Sequence, residues 1–89
     1  MPTYWRADNT VHADVEDTLV VLAPATAEFF ALNPVAARVW ELVADGPVSD
    51  DDLVSRLLDE FEVEPERCRA SVAEFLTNAV AAGIVVRAG

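Results

Sequence analysis

The chain has 89 residues, 53% of them hydrophobic, and its 16 carboxylates against 6 basic residues give a net charge of -10. A chain of this length buries roughly 60–65% of its unfolded surface, so residues 1–89 read as one domain with one modest core and no deep catalytic cleft. The negative field repels phosphate backbones and anionic bilayers, which argues against nucleic acid and membrane as partners.

The basic residues are all arginine, scattered as Arg6, Arg38, Arg56, Arg67, Arg69 and Arg87. A single cysteine, Cys68, excludes an internal disulfide and suits a reducing compartment. The opening "MPTYWRADN" has no apolar signal-like core, and no apolar run approaches the ~20 residues of a membrane span, so a cytoplasmic location is expected.

In chain order, residues 1–9 show no clean period, and an arm and a short first strand are both open readings. From Thr10, Val11, Ala13 and Val15 alternate with His12, Asp14 and Glu16, the pattern of a half-buried strand with its valines inward. Leu19 to Ala23 is continuously apolar, as in a central strand, with Glu16-Asp17 as the hairpin turn even though no glycine eases it. Pro24 turns the chain into a third strand, Thr26 to Leu32, so the sheet spans about residues 10–32.

Asn33 then caps a helix and Pro34 takes its first position, where a missing N–H costs nothing. This first helix, about 34–44, carries Val35, Val39, Trp40, Leu42 and Val43 at helical spacing and stops at "DGP". Ser49 and Asp52 form a capping box for the second, about 50–61, whose first turn sets three aspartates on the positive end of the helix dipole. Its apolar stripe is Leu53, Val54, Leu57, Leu58 and Phe61. The third runs from Pro65 to about Ala82, with Cys68, Val72, Phe75, Leu76, Ala79 and Val80 on one side and Gly83 as its stop. "IVVR" closes the chain as an apolar tail or a wing-like strand. The order predicts an α+β fold: a three-stranded antiparallel sheet followed by a three-helix, winged-helix-like bundle.

Signals for chemistry are weak. Gly46, Gly83 and Gly89 are not clustered as a phosphate loop requires, and one His with one Cys is too few ligands for a zinc or iron site. His12 falls on the polar face of its strand and Cys68 reads as a small buried hydrophobe, so no catalytic residue, metal or cofactor is expected and the chain is not read as an enzyme. The second and third helices could form a helix-turn-helix, but Arg67 and Arg69 are offset by Glu64, Glu66 and Glu74, and a face without net positive charge has little to hold a duplex. An acidic winged-helix regulator or dimerisation module is the alternative from a different functional class.

The stretch "TAEFFALNPVAARVW" carries the functional signal. Leu32, just before the helix cap, belongs in the core, and it carries Phe30 and Glu28 to the inner face and leaves Phe29 on the other. The third strand of a meander is also an edge with unpaired N–H and C=O groups. Either Tyr4 and Trp5 fold back over Phe29, or an extended peptide adds as a fourth strand. Ordering a peptide residue costs roughly 1–2 kcal/mol and a net hydrogen bond returns about 0.5–1.5, so the ladder about breaks even. One or two apolar anchors at ~1.5–3 kcal/mol each would supply the affinity.

The apolar second strand, the aromatic pair before "LN", the "NPVAARVWEL" helix, the acidic capped second helix and "EPERCRASVAEFL" through "AAGIV" resemble the PqqD-like precursor-peptide recognition elements of ribosomal peptide natural product pathways, above all the short stand-alone versions of lasso-peptide clusters. The resemblance covers about Leu19 to Val85. It implies a non-catalytic domain that captures a precursor's leader as a strand against the third strand and the third helix. The partners it implies are a leader-removing cysteine protease and an ATP-dependent cyclase, or, in the adaptor variant of the same class, a radical-SAM peptide-modifying enzyme. Carried onto this chain, the peptide-binding residues would be Thr26, Ala27, Glu28, Phe29, Phe30 and Ala31 on the strand, with Arg67, Cys68, Ser71, Val72, Phe75 and Asn78 on the helix. Ala25 and Ala27 depart from the family's usual charged or polar residue and glycine, which bears on the turn before the strand.

Overall fold

The computed structural model describes residues 2–8, 10–24 and 26–89; Ala25, one of the two departures from the family pattern, lies outside the described residues. The chain runs β1 (Thr3–Arg6), β2 (Val11–Val15), β3 (Thr18–Ala23), β4 (Glu28–Leu32), α1 (Pro34–Leu42) with a closing 3₁₀ turn (Val43–Asp45), β5 (Val48–Ser49), α2 (Asp50–Glu60), α3 (Pro65–Ala82) and β6 (Val85–Ala88). The fold is α+β, as expected, and β2, β3 and β4 pair antiparallel in that order.

The expected single sheet is two. β1 lies between β5 and β6 in a second antiparallel sheet, with Tyr4 opposite both Val48 and Arg87. The closing strand is therefore not a free wing, and the N-terminal segment is a central strand rather than an arm. These strands hold four, two and four residues, too short to print a period on the sequence, and they are far apart in the chain.

Helix boundaries follow local chemistry. Asn33 Oδ1 accepts from the Ala36 amide at 2.8 Å, and Ser49 Oγ accepts from the Asp52 amide at 3.1 Å. At the end of α3, Gly83 adopts φ 79 while its amide donates to the Val80 carbonyl and that of Ile84 to Ala79, the paired bonds of a Schellman stop. Ile84 is fully buried directly after that turn, so the stop also delivers a core residue. Arg38 clasps Glu60 through Nε at 2.7 Å and Nη2 at 3.1 Å, tying α1 to the end of α2.

A single buried cluster joins both sheets to all three helices: Tyr4 from β1, Val21 and Ala23 from β3, Leu32, Val39 and Trp40, Leu53 and Leu57, and Val72 and Leu76 among others. One face assignment is reversed. Val11 and Val15 are 61% and 54% exposed, whereas His12 lies opposite the fully buried Val21 and so shares its face. The His12 ring meets Trp40 edge-on at 6.0 Å, and Trp40 Nε1 donates to His12 Nδ1 at 3.4 Å. The helices bury Val21 and Ala23 of β3 and Leu32 of β4 but leave every β2 residue exposed, so the valine stripe faces solvent instead of a second layer.

Among the described residues, three that are not glycine hold positive φ: Glu16 (51), Asp17 (68) and Ala27 (58). The first two make the β2–β3 turn one in which both central residues are left-handed, the geometry that Asn-Gly fits best. Left-handed backbone costs an L-residue roughly 1–2 kcal/mol, so Asp17→Gly and Ala27→Gly should each raise stability by about 0.5–1 kcal/mol after the entropy of glycine is set against the relief. Gly83→Ala should lower it by about 1 kcal/mol, because the added Cβ meets no atom and only the φ of 79 resists it. Urea unfolding midpoints of the three variants check these opposite signs.

Candidate functional site

Among the described residues, β4 pairs with β3 along one flank and with no strand on the other. Beside its other flank a groove of about 510 Å³ is walled by β4, α1 and α3 and floored by Val39 and Ile84. Because Leu32 is buried at 8% exposure and the strand passes through Asn33 straight into α1, the inner face of β4 presents Glu28 and Phe30 to the groove. Phe29, on the outer face, is 71% exposed.

The opposite wall is one stripe of α3. Ser71, Phe75, Asn78 and Ala82 recur at helical spacing and line the groove, with Glu74 beside them. Val35 and Ala36 of α1 close one side. Phe30, Phe75 and the aliphatic residues give the groove an apolar floor, while backbone groups of β4 supply unpaired donors and acceptors along its rim. Among the described residues, the charged side chains on its lining are Glu28 and Glu74, with no arginine. Among the described residues no group of three or more His, Cys, Asp or Glu is placed to hold a metal ion.

The residues singled out from sequence divide cleanly. Thr26, Glu28, Phe30, Ala31, Ser71, Phe75 and Asn78 line the groove. Ala27 sits in the turn, its amide donating to the Ala23 carbonyl at 2.8 Å, and Phe29 belongs to the strand but points away. Cys68 and Val72 face inward, at 2% and 1% exposure, because they lie on the stripe of α3 that also carries Leu76 and Ala79 into the core. Arg67 is exposed one turn before Ser71, beyond the groove. Val35, Ala36, Glu74, Ala82 and Ile84 also line it and are not among the residues expected from sequence. Extending the Ser71–Phe75–Asn78 stripe by four residues reaches Ala82, and Val35 with Val39 already formed an i, i+4 pair on α1.

Nor do Tyr4 and Trp5 cover Phe29. Tyr4 is buried in the core and Trp5 pairs with Val86 in the second sheet. Arg6 anchors this arrangement: its guanidinium lies over the Trp40 ring at 4.1 Å and Nη2 donates to the Trp40 carbonyl at 2.6 Å. Burial lowers the Arg6 pKa from its ordinary value, against the opposing pull of Glu41 and Asp45.

Residues 18–85 match the family described as Coenzyme PQQ synthesis protein D (PqqD). The chain belongs to the PqqD family. No curated protein matches it in sequence. Among solved structures, it is similar to TbiB1 in complex with the TbiA(beta) leader peptide, with a TM-score of 0.75, 23% identity, and coverage of 91% of this chain and 93% of that one. It is similar also to lasso peptide synthetase B1 complexed with the leader peptide, with a TM-score of 0.75, 24% identity, and coverage of 93% and 96% respectively. Members of the PqqD family thus share with this chain the segment that builds β3, β4 and the three helices, which is the segment that walls the groove.

Burial raises the Cys68 thiol pKa above its ordinary value despite the neighbouring Arg69. A thiol that is both sealed in the core and protonated reacts slowly. Cys68 should therefore resist a thiol reagent such as Ellman's in the native protein and react fully in denaturant; fast native labelling would place it on the surface of α3.

Proposed function

We propose that this chain is a non-catalytic recognition domain that captures the leader region of a ribosomally made precursor peptide by strand addition to β4. The observation that carries this reading is the free flank of β4 lying beside an apolar groove of about 510 Å³ with Phe30 on one wall and Phe75 on the other. A peptide extended along that flank would complete the ladder with its backbone and drop alternate side chains into the groove. The ladder fixes register while contributing little net free energy, and the anchors against Phe30 and Phe75 supply the affinity.

Two solved leader-bound structures of the same fold, TbiB1 and a lasso peptide synthetase B1, support the lasso setting over the adaptor of a radical-SAM enzyme, the other role open to a PqqD-like domain. In that setting the domain would hand the precursor to a leader peptidase and a cyclase in the cytoplasm. Among the described residues no helix is long and apolar enough to cross a membrane. The winged-helix regulator finds no support in the charges: Arg69 is taken by Asp51 at 2.9 Å, and exposed Arg67 stands among Glu64 and Glu66.

Titration with a labelled leader peptide of the cognate precursor tests this reading. Phe75→Ala and Phe30→Ala should each weaken binding by at least about 1 kcal/mol, the cost of truncating a buried aromatic anchor, with circular dichroism showing the fold intact. Phe29→Ala, on the outer face, should leave affinity within about twofold, since its backbone alone would meet the peptide. Unchanged binding in both groove variants would remove the groove from the mechanism.

A further inference from the structure

Resting on the strand-addition reading, we infer that the groove selects a peptide carrying a large apolar residue and a Lys or Arg two positions away from it. Glu28 and Phe30 are two residues apart on the same face of β4, and both line the groove. A strand added to that flank has the same period, so the side chain opposite Phe30 and the one opposite Glu28 are also two apart, whichever way the peptide runs. The first meets an apolar surface formed with Phe75; the second meets a carboxylate. Glu74 lines the same groove from α3, next to Phe75.

The protein's own cations do not reach this site. Arg38 is held by Glu60 at 2.7 Å, Arg69 by Asp51 at 2.9 Å, and Arg6 lies over Trp40, while Glu28 and Glu74 have no ion-pair partner among the described residues. A chain of net charge -10 also biases the groove against acidic peptides at longer range. An opposite-charge cross-strand pair favours binding, and a carboxylate opposite Glu28 opposes it.

A display library of short random peptides, selected on the immobilised protein, tests the pattern. Selection on the wild type should enrich a large apolar residue with Lys or Arg two positions to one side. Selection on Glu28→Gln/Glu74→Gln, both exposed positions, should keep the apolar residue and lose the basic one. Replacing the basic residue of a selected peptide by Gln should weaken binding about two- to fivefold at low salt, and the difference should shrink in high salt. Apolar enrichment without a cation at that spacing, or a cation preference that survives the double variant, overturns the charge rule and leaves the groove standing. Peptides that bind Phe75→Ala as tightly as the wild type overturn the groove reading itself, and the rule with it.

Discussion

Everything at the candidate site depends on the absence of a spacer between strand and helix. Leu32 must be buried, Asn33 caps α1 through its 2.8 Å bond to the Ala36 amide, and Pro34 starts the helix. With Leu32 fixed, the pleat leaves no choice for the aromatic pair: Phe30 turns in and Phe29 turns out, since a slip of one residue would exchange them and expel Leu32. The same junction makes α1 leave the strand at the groove's side, so Val35 and Ala36 become wall residues. The groove is thus a consequence of connectivity before it is a matter of particular side chains.

Trp40 explains why the edge of β4 stays open. Its ring is packed between Arg6 of β1 above one face and His12 of β2 at its edge, and its carbonyl accepts from Arg6. Swinging the N-terminal segment over Phe29 would give up the β1 pairing on both sides, the burial of Tyr4 and the cation–π contact at once. The segment is therefore committed elsewhere, and the flank of β4 is available without a displacement step. Strand addition of this kind needs little reorganisation of the receptor, which spares part of the ordering cost that falls on the peptide.

What the sequence made legible was whatever local chemistry decides. The caps Asn33 and Ser49, the prolines at Pro34 and Pro65 and the stop at Gly83 are each set by neighbouring residues, and the three helices fall within a residue or two of their predicted ends. The β5–β1–β6 sheet was not legible because its pairings join the N-terminal strand to mid-chain residues 48–49 and to residues 85–88 near the C-terminus, and two residues of β5 carry no period. The inward valines of β2 failed for a related reason: alternation identifies a strand but not which of its faces finds a partner, and here the register puts His12, not the valines, on the Val21 face beside Trp40. On α3 apolar spacing alone merges two stripes, Cys68 and Val72, which are core, and Phe75, which is groove. A rotation of one residue on the helix, about 100°, separates the two roles.

An open strand edge beside an apolar groove is also an invitation to self-association, and the same residues that shape the groove oppose it. Pairing β4 of two copies would bring each Glu28 toward the partner's groove, where Glu28 and Glu74 already stand without cations. A charge on the inner face of an edge strand is one of the ways proteins keep such edges from pairing with their own kind. The net charge of -10 adds repulsion between whole molecules. A peptide with a basic residue at the right spacing meets none of this resistance, because it supplies the missing cation where a second copy would supply another carboxylate. Discrimination against self and preference for a guest are then two results of one electrostatic arrangement.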